Sequence, residues 1–175
     1  MIIFCFGDSN TFGYDPRSFF GGRYDAPWPE LLASETGWQV HNNGSCGREI
    51  PRREIVFPKN ADLLIVLLGT NDLLQGASAS EAAERMERFL SGIELERLLL
   101  IAPPSMCLGE WVPDDELIQR SKELAVHYRA LSKKLGIRFL DAGDWHIPMT
   151  FDGVHFTEEG HRSFAEHLRK ELTHA

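Results

Sequence analysis

Apolar residues along this chain fall into two alternating patterns. Short apolar-rich runs cover 2–6, 38–41, 62–68, 98–101 and 137–140, and each predicts a β-strand. The run at 62–68 is apolar at odd and even positions alike, as a central parallel strand covered on both faces requires. Between the runs, apolar positions recur at helical spacing. A helix opens at Pro27-Trp28-Pro29, with proline tolerated in its first turn, and Gly37 stops it. A second covers about 79–92, with Ser78 or Ser80 as its cap and Glu81 and Glu84 near its positive end. Asp114 caps a third, which runs to Leu135 with Leu117, Leu124, Tyr128, Leu131 and Leu135 on one stripe. Gly136 ends it. The last runs from Glu158 to Leu172 behind a Thr157 cap. Residues 8–25 and 42–47 read as polar, Gly-rich loops, and 48–57 as a short helix limited by Pro51 and Pro58.

Five strands alternating with helices predict a parallel sheet with helices on both faces, joined by right-handed crossovers. With no repeat, linker or low-complexity segment, residues 1–175 read as one domain. Ligands of such sheets sit beyond the carboxyl ends of the strands. Polar clusters stand there at Gly7-Asp8-Ser9-Asn10, at 42–47, at Gly69-Thr70-Asn71-Asp72, and at Asp152-Gly153-Val154-His155 before the last helix.

The formal net charge of -8 makes nucleic acid and anionic membranes poor partners. No segment approaches the ~18 apolar residues of a membrane span, and residues 1–6 lack the features of a secretion signal. The expected location is therefore cytoplasmic. Cys5, Cys46 and Cys107 are too few and too scattered for a disulfide framework. Cys5 and Cys46 are expected as small buried residues.

The clusters hold the parts of a serine nucleophile system. Serine needs a base within hydrogen-bond reach, and the base needs a group that fixes its tautomer. Ser9 follows a strand. Asp152 and His155, three residues apart before a helix, can pair through one ring nitrogen and leave the other for Ser9. Acyl transfer also needs donors for an oxyanion. The Asn71 amide, the Ser9 N–H and a glycine N–H within 44–47 offer them. Asp8 and Asp72 can brace the site. Any one cluster alone reads as an ordinary turn. Phe12, Tyr14, Phe19 and Phe20 either wall the pocket or cover the edge of the core. His41, His127, His146, His161, His167 and His174 lack metal-ligand spacing, and most, His161 included, are expected at the surface.

Taken together and in order, the four clusters resemble the blocks of the SGNH (GDSL-type) hydrolases over nearly the whole chain. The segment Trp28-Pro29-Glu30-Leu31-Leu32 is similar to the helix that commonly follows the first block. The resemblance implies a flavodoxin-like three-layer α/β/α sandwich with strand order 2-1-3-4-5. It implies Ser9 as nucleophile, His155 as base and Asp152 as its orienting carboxylate. Oxyanion donors would be the Ser9 N–H, the Asn71 amide and Gly47, which aligning Asn42 with the block asparagine selects over Gly44. Asn10 stands where the GDSL signature has leucine. The implied activity is a cofactor-free and metal-free serine esterase acting on small-molecule short-chain or acetyl esters, with no lid-like insertion to suit long-chain lipids. Acyl transfer to an alcohol and lysophospholipid hydrolysis are alternatives on the same site. A non-catalytic phosphate or ligand binder is the alternative of another class, though no Lys or Arg lies near the first block in sequence to support it.

Overall fold

The computed structural model describes residues 1–94 and 97–173; His174 lies outside them. The elements are β1 (Ile2–Gly7), α1 (Ser9–Phe12), β2 (Tyr14–Asp15), β3 (Gly22–Arg23), α2 (Trp28–Thr36), β4 (Gln39–Gly44) and β5 (Leu63–Leu67). There follow α3 (Thr70–Leu74), α4 (Ala79–Ser91), β6 (Leu98–Ala102), α5 (Asp115–Leu135), β7 (Arg138–Asp141), a 3-10 turn at Ala142–Trp145 and α6 (Glu158–Thr173). One parallel sheet has the order β4-β1-β5-β6-β7, which is 2-1-3-4-5 when its five strands are numbered alone.

The double apolar parity of β5 and β6 has a direct explanation. Leu64, Val66, Leu98 and Leu100 face one side, packed with Met86 and Phe89 of α4 and Leu124 and Tyr128 of α5. Ile65, Leu67, Leu99 and Ile101 face the other, against Trp28 and Leu32 of α2 and Phe164 and Leu168 of α6. Full burial of each such aliphatic side chain stabilises by ~1.5–3 kcal/mol. Helix ends follow local chemistry. Ser78 and Glu81 form a reciprocal capping box on α4, Asp114 accepts from the Glu116 N–H, and Gly37 and Gly136 end α2 and α5 in left-handed conformation. The Thr157 hydroxyl accepts from the Gly160 N–H at the start of α6.

Three segments differ from the sequence expectation. Asn42, Asn43 and Gly44 are not loop but the last residues of β4, paired with Cys5, Phe6 and Gly7. Their low strand propensity is overridden by ladder pairing and by the Asn42 side chain. Its amide donates to the Thr11 carbonyl at 2.8 Å and its oxygen accepts from the Gly44 N–H at 2.9 Å. A Cβ on Gly44 would lie 2.0 Å from the Phe12 nitrogen, so only glycine lets β4 approach α1 this closely. Residues 48–57 form no helix, because the Ile50 N–H is drawn into a 2.9 Å bond to Asp72, Pro51 stands within the segment and Pro58 follows it. The loop after α1 contains a small antiparallel ribbon, β2 with β3, too short to leave a periodic signal.

Candidate active site

Ser9 stands at the first position of α1, immediately beyond β1. Asp8 caps that turn, accepting the Asn10 N–H at 2.9 Å, and Gly13 closes it in left-handed conformation. The first N–H groups of a helix have no intrahelical acceptor, and the Ser9 N–H has no other acceptor among the described residues. Asp8 is buried. Burial pushes its carboxyl up from 3.8 to about 6, although the Asn10 N–H and the charges of His155 and Arg48 pull the other way.

The segment before α6 brings the other two triad candidates. His155 Nδ1 lies 2.7 Å from Asp152 Oδ2, and His155 Nε2 lies 2.9 Å from Ser9 Oγ. All three side chains are buried. Asp152 Oδ1 also accepts from the Thr150 hydroxyl at 2.8 Å and from the Val154 and His155 N–H groups at 2.9 Å each. Burial alone would raise this carboxyl. The bonds from the His155 ring, the two N–H groups and Thr150 together outweigh burial and hold it far below the ordinary carboxylate range. An ionised Asp152 favours the proton on Nδ1, leaving Nε2 to accept from the Ser9 hydroxyl.

Two supports hold this segment, and neither was visible in the sequence. Asn10 clamps it on both sides of His155. Its amide donates to the Val154 carbonyl at 3.0 Å and its oxygen accepts the Phe156 N–H at 2.9 Å. The loop after β6 lies against its outer side. There Cys107, Glu110 and Trp111 donate backbone N–H groups to the carbonyls of Gly153, Phe151 and Asp152, each at 3.1 Å. A Cβ on Gly109 would fall 2.4 Å from the Asp152 carbonyl carbon, so the two backbones are in direct contact. The only advance signs were a polar residue where leucine is usual and a Pro- and Gly-punctuated loop.

The second and third clusters meet beside the end of β1. The Asn71 amide donates to the Arg48 carbonyl at 3.1 Å, next to Gly47. The Gly47 N–H has no acceptor among the described residues, whereas the Gly44 N–H is engaged by Asn42. Arg48 donates to the Gly7 carbonyl at 2.9 Å and to the Asn43 carbonyl, and its guanidinium lies 4.3 Å from the Phe6 ring centroid. A cation therefore does stand beside the first block, contrary to the sequence expectation, brought there from 41 residues away. It is engaged by carbonyls, which binds the second cluster to the first. Asp72 has no hydrogen bond to Ser9, His155 or Asp152 among the described residues. It is buried, accepting from Ile50 N–H and, at 3.0 Å, from Arg85. Burial raises its carboxyl, against those two bonds.

Tyr14 and Trp111 set their rings edge-on to His155, at centroid distances of 4.9 and 5.1 Å. Phe19 and Phe20 are 96% exposed and reach neither pocket nor core. Cys46 is exposed, not buried, because it sits in the turn beyond the end of β4. His161 is the opposite correction. It is completely buried between α2 and α6, its Nδ1 accepting the Trp28 N–H at 3.4 Å and its ring 5.1 Å from that of Tyr24. Helical phase turns it inward beside Phe164 and Leu168. Burial lowers its pKa to about 3. Among the described residues no group of three acidic, His or Cys side chains could hold a metal ion. Nor is any described helix long and apolar enough to cross a membrane.

A family model described as the GDSL-like lipase/acylhydrolase family matches residues 5–163. No curated protein matches the chain. Among solved structures, the aryl esterase of M. smegmatis is 26% identical, with a TM-score of 0.79 over 98% of both chains. Est24, a carbohydrate acetylesterase from Sinorhizobium meliloti, is 22% identical, with a TM-score of 0.79 over 98% of both chains. A member of the lipolytic G-D-S-L family from Veillonella parvula DSM 2008 is 20% identical, with a TM-score of 0.77 over the full length of both. At 22% and 20% identity the likeness is one of fold.

Proposed function

The chain belongs to the GDSL-like lipase/acylhydrolase family and is a carboxylic ester hydrolase; within that class, we propose that it is a serine esterase of short-chain or acetyl esters working through Ser9, His155 and Asp152. The observation that carries the reading is the unbroken path Asp152 Oδ2–His155 Nδ1, 2.7 Å, and His155 Nε2–Ser9 Oγ, 2.9 Å. Ser9 Oγ attacks the ester carbonyl as its proton passes to His155 Nε2. The tetrahedral intermediate collapses to an acyl-Ser9, and the alcohol leaves with that proton. Water, activated by the same nitrogen, then releases the acid and restores Ser9. Asp152 stays ionised and steadies the imidazolium.

The oxyanion would be held by the N–H groups of Ser9 and Gly47 and by the Asn71 amide. At the two backbone positions the N–H groups have no acceptor among the described residues, which supports this, and the engaged N–H of Gly44 favours Gly47. Asp8 and Asp72 brace the site without meeting the ester, Asp8 by capping the Ser9 turn and Asp72 by fixing the segment beyond Gly47. Tyr14 and Trp111 flank His155, where they would meet the acyl or alcohol group. Short acyl or aryl esters are also what the similar proteins are named for, aryl esters in one case and carbohydrate acetates in another.

A fluorophosphonate probe tests the nucleophile. It should label Ser9 alone, and Ser9→Ala should fold normally yet lose on the order of 10⁶ in kcat on p-nitrophenyl acetate. A folded Ser9→Ala that keeps more than about a tenth of the activity would overturn the mechanism.

A further inference from the structure

Away from Ser9, the segment that follows β4 and the flank of α4 enclose a cavity of about 350 Å³. Pro51, Arg52 and Arg53 line one side; Arg85, Arg88 and Phe89 line the other. Four arginines around one cavity run against the trend of a chain with net charge -8. They come from two separate segments, and Arg85 and Arg88, three positions apart, share one face of α4.

Two of the four are already engaged. Arg85 holds Asp72 at 3.0 Å, and Arg52 lies 3.6 Å from Glu49. Arg53 and Arg88 have no carboxylate partner among the described residues, in contrast to Arg17, Arg120, Arg129 and Arg162, which each have one. Among the described residues Glu54 is the single acidic side chain on the lining, so positive charge is in excess among them.

We propose that this cavity binds a small organic phosphate, anchored by Arg53 and Arg88, with its apolar portion against Phe89 and Pro51. Guanidinium forks match phosphate oxygens two at a time, and a phosphate monoester brings about 1.5–2 negative charges at neutral pH. The ring of Phe89 and the face of Pro51 supply the apolar contact that distinguishes an organic phosphate from the inorganic ion. The cavity is of small-ligand size. An extended polyanion would meet the repulsion of the remaining acidic surface. The site shares no lining residue with the Ser9 cluster, and the proposal does not depend on which ester is cleaved.

Phenyl phosphate, titrated into the full chain at about 150 mM NaCl to screen diffuse attraction, is the probe. Saturable amide shifts should appear at 52–54 and 85–92 and not at residues 9 or 155. The double variant Arg53→Ala/Arg88→Ala should bind at least about tenfold more weakly, while hydrolysing p-nitrophenyl acetate like the unmodified chain. Should that variant not fold, Arg88→Lys replaces it; keeping the charge but losing the fork, it should still weaken binding. No saturable shift, shifts centred on Ser9, or equal affinity in the variants would each overturn the assignment. A lipid could present the same group. Vesicles containing phosphatidic acid should therefore fail to sediment the protein, and sedimentation without phenyl phosphate binding would overturn the small-molecule assignment.

Discussion

Replacing Asn10 by leucine tests whether the position of His155 depends on the clamp between the nucleophile turn and the base segment. The substitution removes both bonds at once, the one to the Val154 carbonyl and the one from the Phe156 N–H. Val154 and Phe156 are 3% and 0% exposed, so water cannot replace the lost partner. Leaving two buried polar groups unsatisfied costs ~1–3 kcal/mol each. The leucine returns part of this, ~1.5–3 kcal/mol, as apolar burial. The fold should therefore survive with a modest net loss of stability, readable by urea unfolding. Activity is the more sensitive readout, because His155 lies between the two clamped positions and must stay within hydrogen-bond reach of Ser9. A displacement of about 1 Å costs on the order of 10² in rate. Steady-state hydrolysis of p-nitrophenyl acetate should show kcat reduced by roughly 10–10²-fold with little change in KM, since the clamp places the base and not the ester. A folded Asn10→Leu whose kcat stays within about twofold of the original refutes the reasoning. It would mean that the loop at 107–111 holds the base segment unaided.

Asn71→Ala should lower kcat by about 10²–10³ if its amide steadies the oxyanion; a loss confined to KM would make it a substrate contact, and a loss in stability alone a tether for Arg48. Asp8→Asn keeps an oxygen for the Asn10 N–H and removes the buried charge. Because the folded pKa of Asp8 is raised from 3.8 to about 6, its favourable contribution is complete below about 4 and is lost as pH rises through 6. The stability of Asp8→Asn relative to the original should thus improve by about 2 kcal/mol between pH 4 and pH 8, and a difference that is flat with pH would contradict the buried-charge account. His161 acts in the opposite sense. Its pKa is lowered from 6.5 to about 3, so the stability it supports is present above 6.5 and is lost as pH falls. His161→Gln should lose less stability than the original on acidification from pH 7 to pH 4, by up to about 3 kcal/mol. Parallel unfolding curves of the two proteins would sink this prediction.

Much of this protein was written locally in its sequence. The double parity of 62–68 required helices on both faces, and the caps at Ser78 and Asp114 and the stop at Gly136 fixed helix limits. Strand-end positions marked Ser9 and Asn71, and the three-residue spacing before α6 marked Asp152 and His155, as candidates for one rim. Such signals need only residues within a turn or two of each other, so they survive without coordinates. What the tertiary structure alone decided lies in contacts between distant parts of the chain. The Ser9–His155 bond and the Asn10 clamp span 144 to 146 residues. The Arg48 link from the second cluster to Gly7 spans 41. Pairing with β1 carried the strand through Asn42, Asn43 and Gly44 against their propensity, and the pull of Asp72 on Ile50 removed the helix expected at 48–57. His161 was read as a surface residue because histidine usually is. The phase of α6 against α2 buried it, since which face of a helix is covered depends on what packs there.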